Sequence, residues 1–153
     1  MSPDRVAAPA QGDKSAAVRP DIESKAQGPE RRERPVFVID DDAKVGDSLV
    51  VLLETYGFEV VAHASGAALL DDRRHREMGC LILDHHMPQM DGIEVLAILR
   101  RKAVFVPAIL IGGRLDAGIA GRAAELGVIA VLEKPLAVAR LIELVRSGLA
   151  TAR

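Results

Sequence analysis

Three unbroken apolar runs along the chain each end on charge. Val36-Phe37-Val38-Ile39 leads into Asp40-Asp41-Asp42, Leu81-Ile82-Leu83 into Asp84, and Ile129-Ala130-Val131-Leu132 into Glu133-Lys134. Runs this short, rich in β-branched residues and free of interleaved polar ones, predict strands buried on both faces. That is the pattern of a parallel sheet with helices on either side. Between the runs the period changes to that of a helix. Val45, Leu49, Leu52, Leu53 and Tyr56 share one face of a helix predicted over 44–56, which Gly57 ends in the usual C-terminal position. A strand is predicted over 58–62, then a helix over 66–74 opened by Ser65 as N-cap. The strand at 80–84 precedes a helix over 92–101, and a strand at 108–111 precedes a helix over 116–126 stopped by Gly127. The last strand, 129–132, is followed by a helix over about 136–149 with Leu141, Leu144, Val145 and Gly148 on one face.

Five strands alternating with five helices predict an α/β fold, and right-handed crossovers leave two economical strand orders. In the flavodoxin-like (βα)5 doubly wound parallel sheet, with strand order 2-1-3-4-5, strands 1 and 3 are neighbours at the switch point, where ligands bind. This order brings Asp40 and Asp41 beside Asp84 and places Gly112-Gly113 and Lys134 on the flanks of the same crevice. It accounts best for where the charges fall.

Composition narrows the possibilities. The 153 residues suffice for one domain with a sizeable core, and 49% hydrophobic with 27% charged residues fits a globular protein. A net charge of −2 supplies no electrostatic case for nucleic acid or an anionic membrane as partner. The lone Cys80 falls inside a predicted strand, which predicts a buried structural thiol and no disulfide framework, as in a reducing cytoplasm. Met1-Ser2-Pro3-Asp4-Arg5 lacks the apolar core of a signal peptide, and the apolar stretch 103–113 is too short for a bilayer and broken by Pro107. A cytoplasmic protein is expected. Residues 1–34 hold four prolines, seven Lys/Arg and six Asp/Glu with few large apolar residues. They are expected to form a disordered extension, with a partner-binding or autoinhibitory arm as the alternative. The folded part is expected over 35–150, with 151–153 as a C-terminal end.

Carboxylates gathered at neighbouring strand ends raise one another's pKa unless a cation neutralises them. Ligation by carboxylates alone favours a hard, oxygen-seeking ion such as Mg2+ or Mn2+, which keeps waters and accepts phosphate oxygens. A carboxylate beside such an ion can attack phosphorus and form an acyl phosphate, and Lys134 would place a second positive charge on the transferring oxygens.

Ile39-Asp40-Asp41-Asp42, Asp84-His85-His86-Met87-Pro88-Gln89-Met90-Asp91-Gly92 and Glu133-Lys134-Pro135 resemble the three motifs of response-regulator receiver domains, over roughly residues 35–150. The resemblance implies that Asp84 is the phospho-acceptor. It also implies that Asp41, Asp84 and the backbone carbonyl of His86 bind Mg2+, with Asp40 assisting, and that Lys134 pairs with the phosphoryl group. Asp42 is a third acid without an assigned role, and the Lys134-Pro135 peptide resembles one often cis in the family. Met87, Pro88 and Gly92 shape the loop under the pocket. The phosphoryl group would come from a histidine kinase or histidine phosphotransfer protein. Output would pass to a downstream protein through strand 5 and helices 4 and 5, with no DNA-binding or catalytic effector domain expected.

Two positions depart from the family's pattern. Gly112 stands where the family has a Ser or Thr hydroxyl, a loss worth about 1.5–3 kcal/mol, which a water or the Gly113 amide at the pocket's rim would partly recover. Val131 stands where the family usually has an aromatic side chain, so neither member of the usual switch pair is present. His85 and His86 are adjacent and point different ways, which argues against a shared metal. His86 at the pocket rim either steers or blocks attacking water, or is an ordinary exposed side chain. Two other functions compete with the phosphorylated receiver. One is a degenerate receiver that works as a constitutive protein-binding module. The other is a haloacid-dehalogenase-type phosphatase with Asp40 as nucleophile and Asp42 as acid, for which the downstream acids and cap insertion are missing.

Overall fold

The apolar runs form the strands of one parallel sheet because each supplies both faces at once. In the computed structural model, which describes residues 33–151, the elements are β1 (Val36–Ile39), α1 (Ala43–Thr55), β2 (Val60–His63), α2 (Gly66–Asp71), a 3-10 turn (Arg73–Glu77), β3 (Cys80–Asp84), α3 (Gly92–Arg101), β4 (Ala108–Gly112), α4 (Ala117–Glu125), β5 (Val128–Glu133) and α5 (Val138–Thr151). The strand order is β2-β1-β3-β4-β5, all parallel, the flavodoxin-like arrangement expected from the charges. The predicted extension lies outside the described residues apart from its last two positions, and residues 152–153 lie outside them too.

Strand residues alternate between two apolar layers. Phe37, Ile39, Leu81, Leu83 and Leu110 pack on one face with Leu69, Leu96, Leu99 and Ala123 from α2, α3 and α4. Val36, Val38, Ile82, Ile109 and Ile111 pack on the other with Leu53 from α1 and Leu141 and Val145 from α5. Cys80 belongs to this second layer, where burial pushes its thiol up to about 12, out of reach of thiolate chemistry at neutral pH. Leu141, Leu144, Val145 and Gly148 are all buried, as their spacing predicts. No helix among the described residues is long and apolar enough to cross a membrane.

The structure corrects several local expectations. The β5 run, expected to be covered on both faces, is only half-buried, with Ile129 42% exposed. It is an outer strand with one neighbour, so apolar continuity here does not mean full coverage. The second strand starts at Val60 rather than at residue 58, because Phe58 closes the α1 turn through its backbone bond to Leu53. Tyr56 is the C-cap of α1 and exposed, with the Arg146 guanidinium 5.9 Å from its ring centroid. The helix expected to reach residue 74 stops at Asp71. Asp72 takes an extended conformation, accepts the Arg74 amide at 2.8 Å and pairs with His63 Nε2 at 2.8 Å, which turns the chain into the 3-10 segment.

The loop from β3 to α3 is held tightly. Asp91 and Glu94 form a reciprocal capping box at the start of α3, and the Gly92 amide donates to the His85 carbonyl at 3.1 Å. A Cβ on Gly92 would stand 2.8 Å from the Asp84 carbonyl oxygen and 3.0 Å from His85 Cα, both fixed backbone atoms. Gly92→Ala is therefore expected to push α3 away from β3 and to lower unfolding free energy by about 1–3 kcal/mol, measured by urea denaturation.

Candidate functional site

The register of the central strands sets the site. Ile39 pairs with Leu83, so the residues that follow, Asp40 and Asp84, stand side by side at the carboxyl edge. Both are buried, whereas Asp41, the next residue on the loop, is exposed. One carboxylate oxygen from each of Asp40, Asp41 and Asp84 lies within 4.8 Å of the others. Asp42 does not join them. Its carboxylate accepts the amides of Lys44 at 3.0 Å and Val45 at 3.4 Å and caps α1, so the helix begins one residue earlier than its apolar spacing indicates. An acid directly before a helical run is an N-cap signal, and it gives Asp42 its role.

Lys134 reaches the site from the end of β5. Its backbone amide donates to the Gly112 carbonyl at 2.7 Å, and the Lys134-Pro135 peptide that follows is cis. Its ammonium Nζ donates to Asp40 Oδ2 at 3.0 Å and lies 3.3 Å from Asp84 Oδ1. The second contact is an ion pair without a well-directed hydrogen bond, so the buried Asp84 Oδ1 is left without a hydrogen-bond partner among the described residues. The other oxygen of Asp40, Oδ1, accepts the Asp42 amide at 2.9 Å.

The electrostatics follow from this crowding. Burial, reinforced by the neighbouring charge of Asp40, pushes the Asp84 carboxyl above its ordinary range, and Lys134 offsets only part of that. For Lys134 burial favours the neutral amine, but the hydrogen bond to Asp40 and the charges of Asp84 and Asp40 together outweigh it and raise its pKa. The ammonium is thus locked on while the Asp84 carboxylate is under-compensated. Three carboxylates, one with an orphaned buried oxygen and no sulfur or imidazole among them, form a donor set that suits a hard divalent cation.

The remaining candidates line the edge of this cluster. Gly112 is buried at the end of β4, and Gly113 is exposed with open space where its side chain would be. Val131 is half-buried and packs into the apolar layer shared with α4. His85 is buried, and burial lowers its pKa, which favours the neutral ring. His86 is exposed, and its ring meets that of His85 at 66° with centroids 5.1 Å apart. Sequence reasoning missed Glu133, whose Oε2 accepts the Leu115 amide at 3.1 Å and ties the β4–α4 loop to the end of β5. Nothing in local spacing marks that contact.

Comparison with known proteins identifies the family of the fold. Residues 36–146 match the family described as response regulator receiver domain. The transcriptional regulatory protein FixJ of Azorhizobium caulinodans is 40% identical over 115 residues, which cover 75% of this chain and 54% of FixJ. The response regulator protein TodT of Pseudomonas putida strain F1 is 31% identical over 118 residues, covering 77% of this chain and 52% of TodT. The chain therefore spans about half the length of the curated relatives it matches. The crystal structure of FixJ-N superposes with a TM-score of 0.71 at 30% identity over 78% of this chain and 96% of that one. The response regulator StyR superposes with a TM-score of 0.74 at 35% identity over 79% of this chain and 61% of that one.

The raised pKa of Asp84 has a defined sign in stability. A carboxyl that binds its proton more tightly folded than unfolded lowers stability at neutral pH, and the penalty fades as pH falls toward the ordinary value of 3.8. Asp84→Asn is therefore expected to melt at a higher temperature than the wild type at pH 7 without divalent ions. The difference should vanish below about pH 4 in a series of thermal melts.

Proposed function

This chain belongs to the response-regulator receiver family of two-component signalling, and on that basis we propose that it takes a phosphoryl group onto Asp84 from a phosphohistidine donor. The observation that carries the proposal is the convergence of Asp40, Asp41 and Lys134 on an under-compensated, buried Asp84. Asp41, Asp84 and the carbonyl of His86 would hold Mg2+ or Mn2+, with Asp40 assisting through its already oriented carboxylate. The bound ion supplies charge neutralisation for the phosphoryl oxygens and for the carboxylates around them.

The chain's own residues account for the rest. Asp84 attacks phosphorus through a carboxylate oxygen, so that a P–O bond forms as the P–N bond to the donor's imidazole breaks. Lys134, now shared between Asp40 and Asp84, turns to a phosphoryl oxygen and stabilises the charge that develops there. Hydrolysis of the acyl phosphate restores the carboxylate and releases inorganic phosphate. The donor is a histidine kinase or a histidine phosphotransfer protein. The downstream partner is a protein that reads β5, α4 and α5, where Ile129 and Val138 are 42% and 43% exposed. The net charge of −2 favours such a partner over nucleic acid. The reading places the chain in the cytoplasm, where its donors work.

Intact-protein mass after incubation with Mg2+ and acetyl phosphate tests the proposal. One added phosphoryl group is expected on the wild type, none on Asp84→Asn and none when EDTA replaces Mg2+. Lys134→Ala is expected to slow the gain by about a hundredfold. A folded protein that binds Mg2+ yet acquires no phosphoryl group, from acetyl phosphate or from a phosphorylated histidine phosphotransfer protein, would overturn the proposal and favour the constitutive binding module.

A further inference from the structure

The space beside Gly112 is already filled. A Cβ built there would stand 2.8 Å from Leu115 Cδ2 and 3.1 and 3.3 Å from Cδ2 and Nε2 of His86. The His86 ring thus reaches from the β3–α3 loop across the end of β4, over the place where any larger residue at 112 would put its side chain. It continues to the β4–α4 loop, where Nε2 lies 2.9 Å from the Arg114 carbonyl oxygen. A carbonyl only accepts, so Nε2 carries the hydrogen and donates it.

We propose that His86 is a positioning residue that bolts the β4–α4 loop to the acceptor strand, and that Gly112 is the gap that admits it. The proposal rests on Asp84 as phospho-acceptor for its functional consequence. His86 follows Asp84 by two residues on backbone with little freedom. The His85 amide is tied to the Ile111 carbonyl at 2.8 Å, and the His85 carbonyl accepts from both Met87 and Gly92. A change in charge or position at residues 84–86 is therefore passed to the ring instead of being absorbed by the loop. On the far side the β4–α4 loop is also clamped by the Leu115 amide on Glu133, before Asp116 caps α4 through the Ile119 amide. Contact between the acceptor and α4 in this chain thus runs through an imidazole from the β3–α3 loop and needs no side chain from β4. A new Cβ at 112 makes Leu115 Cδ2 shift, which the end of a flexible side chain does easily. It also presses on the tethered ring, which has to give by a few tenths of an ångström for Ala and by more for anything larger.

Hydrogen exchange of the amides of residues 113–117 tests the proposal in the ligand-free protein, where no phosphoryl chemistry is needed. His86→Ala is expected to speed exchange in this loop roughly fivefold, the equivalent of one hydrogen bond. His86→Phe, which fills the space without donating, should do the same, and His86→Gln, which keeps a donor, should restore most of the protection. Gly112→Ala should loosen the loop by a similar factor, yet add little when placed in the His86→Ala background. A second arm uses Mg2+ with beryllofluoride as a stable stand-in for the acyl phosphate: loop protection is expected to change in the wild type and not in His86→Ala. Unchanged exchange in His86→Ala, or fully additive effects of the two substitutions, would overturn the bolt. Failure of the wild type to bind Mg2+ and beryllofluoride would instead count against Asp84 as acceptor, and the ligand-free cycle would still decide the role of His86.

Discussion

Two carboxylates buried side by side at the ends of neighbouring strands repel each other, and the molecule holds them there with a single ammonium group. Lys134 lies 3.0 Å from Asp40 and 3.3 Å from Asp84, and it comes from the far end of the sheet. Removing a charge from water costs several kcal/mol per ion, so burying a carboxylate calls for a cation close by. One lysine for two acids compensates only partly. The residual strain falls on Asp84, whose carboxyl is pushed up by burial and by Asp40. The same arrangement that makes the site unfavourable for stability makes it a place where added positive charge is favoured.

Much of the surrounding structure serves to keep that lysine in reach. The Lys134 amide is tied to the Gly112 carbonyl, directly before the cis peptide to Pro135. On the other flank, Asp42 caps α1 while its own amide orients Asp40, so helix start and site geometry are set by one short run of acids. Gly92 allows α3 to pack against the backbone of Asp84 and His85. Each device is local, and each bears on the position of a carboxylate.

The departures at Gly112 and Val131 change how the site is connected to the rest of the domain more than they change the site itself. Val131 packs into the apolar layer under α4, and the space at Gly112 is taken by His86 and Leu115. The acidic cluster and Lys134 are complete without them. The loop leading into α4 is held from two sides, by His86 and by Glu133, and both contacts involve loop backbone rather than a β4 side chain.

By itself, the pattern of residues determined the elements, their parallel pairing and the acids and lysine at the carboxyl edge. Each of those signals is local: a strand or helix reveals itself through its own period, and a charge at a strand end needs only the strand order to be placed. The expected order proved correct because one arrangement brought Asp40, Asp41, Asp84 and Lys134 together, and buried charges rarely stand alone. Where coverage or a distant partner decides the outcome, local reading fell short. The β5 run reads like β1 yet is half-exposed, since its place at the sheet edge is a property of the whole sheet. The early end of α2 depends on Asp72 finding His63, a residue of another element. His86 meeting Gly112 and Arg114, and Glu133 meeting Leu115, are contacts between segments far apart along the chain. Only packing brings them within hydrogen-bonding range, so only the tertiary structure decided them.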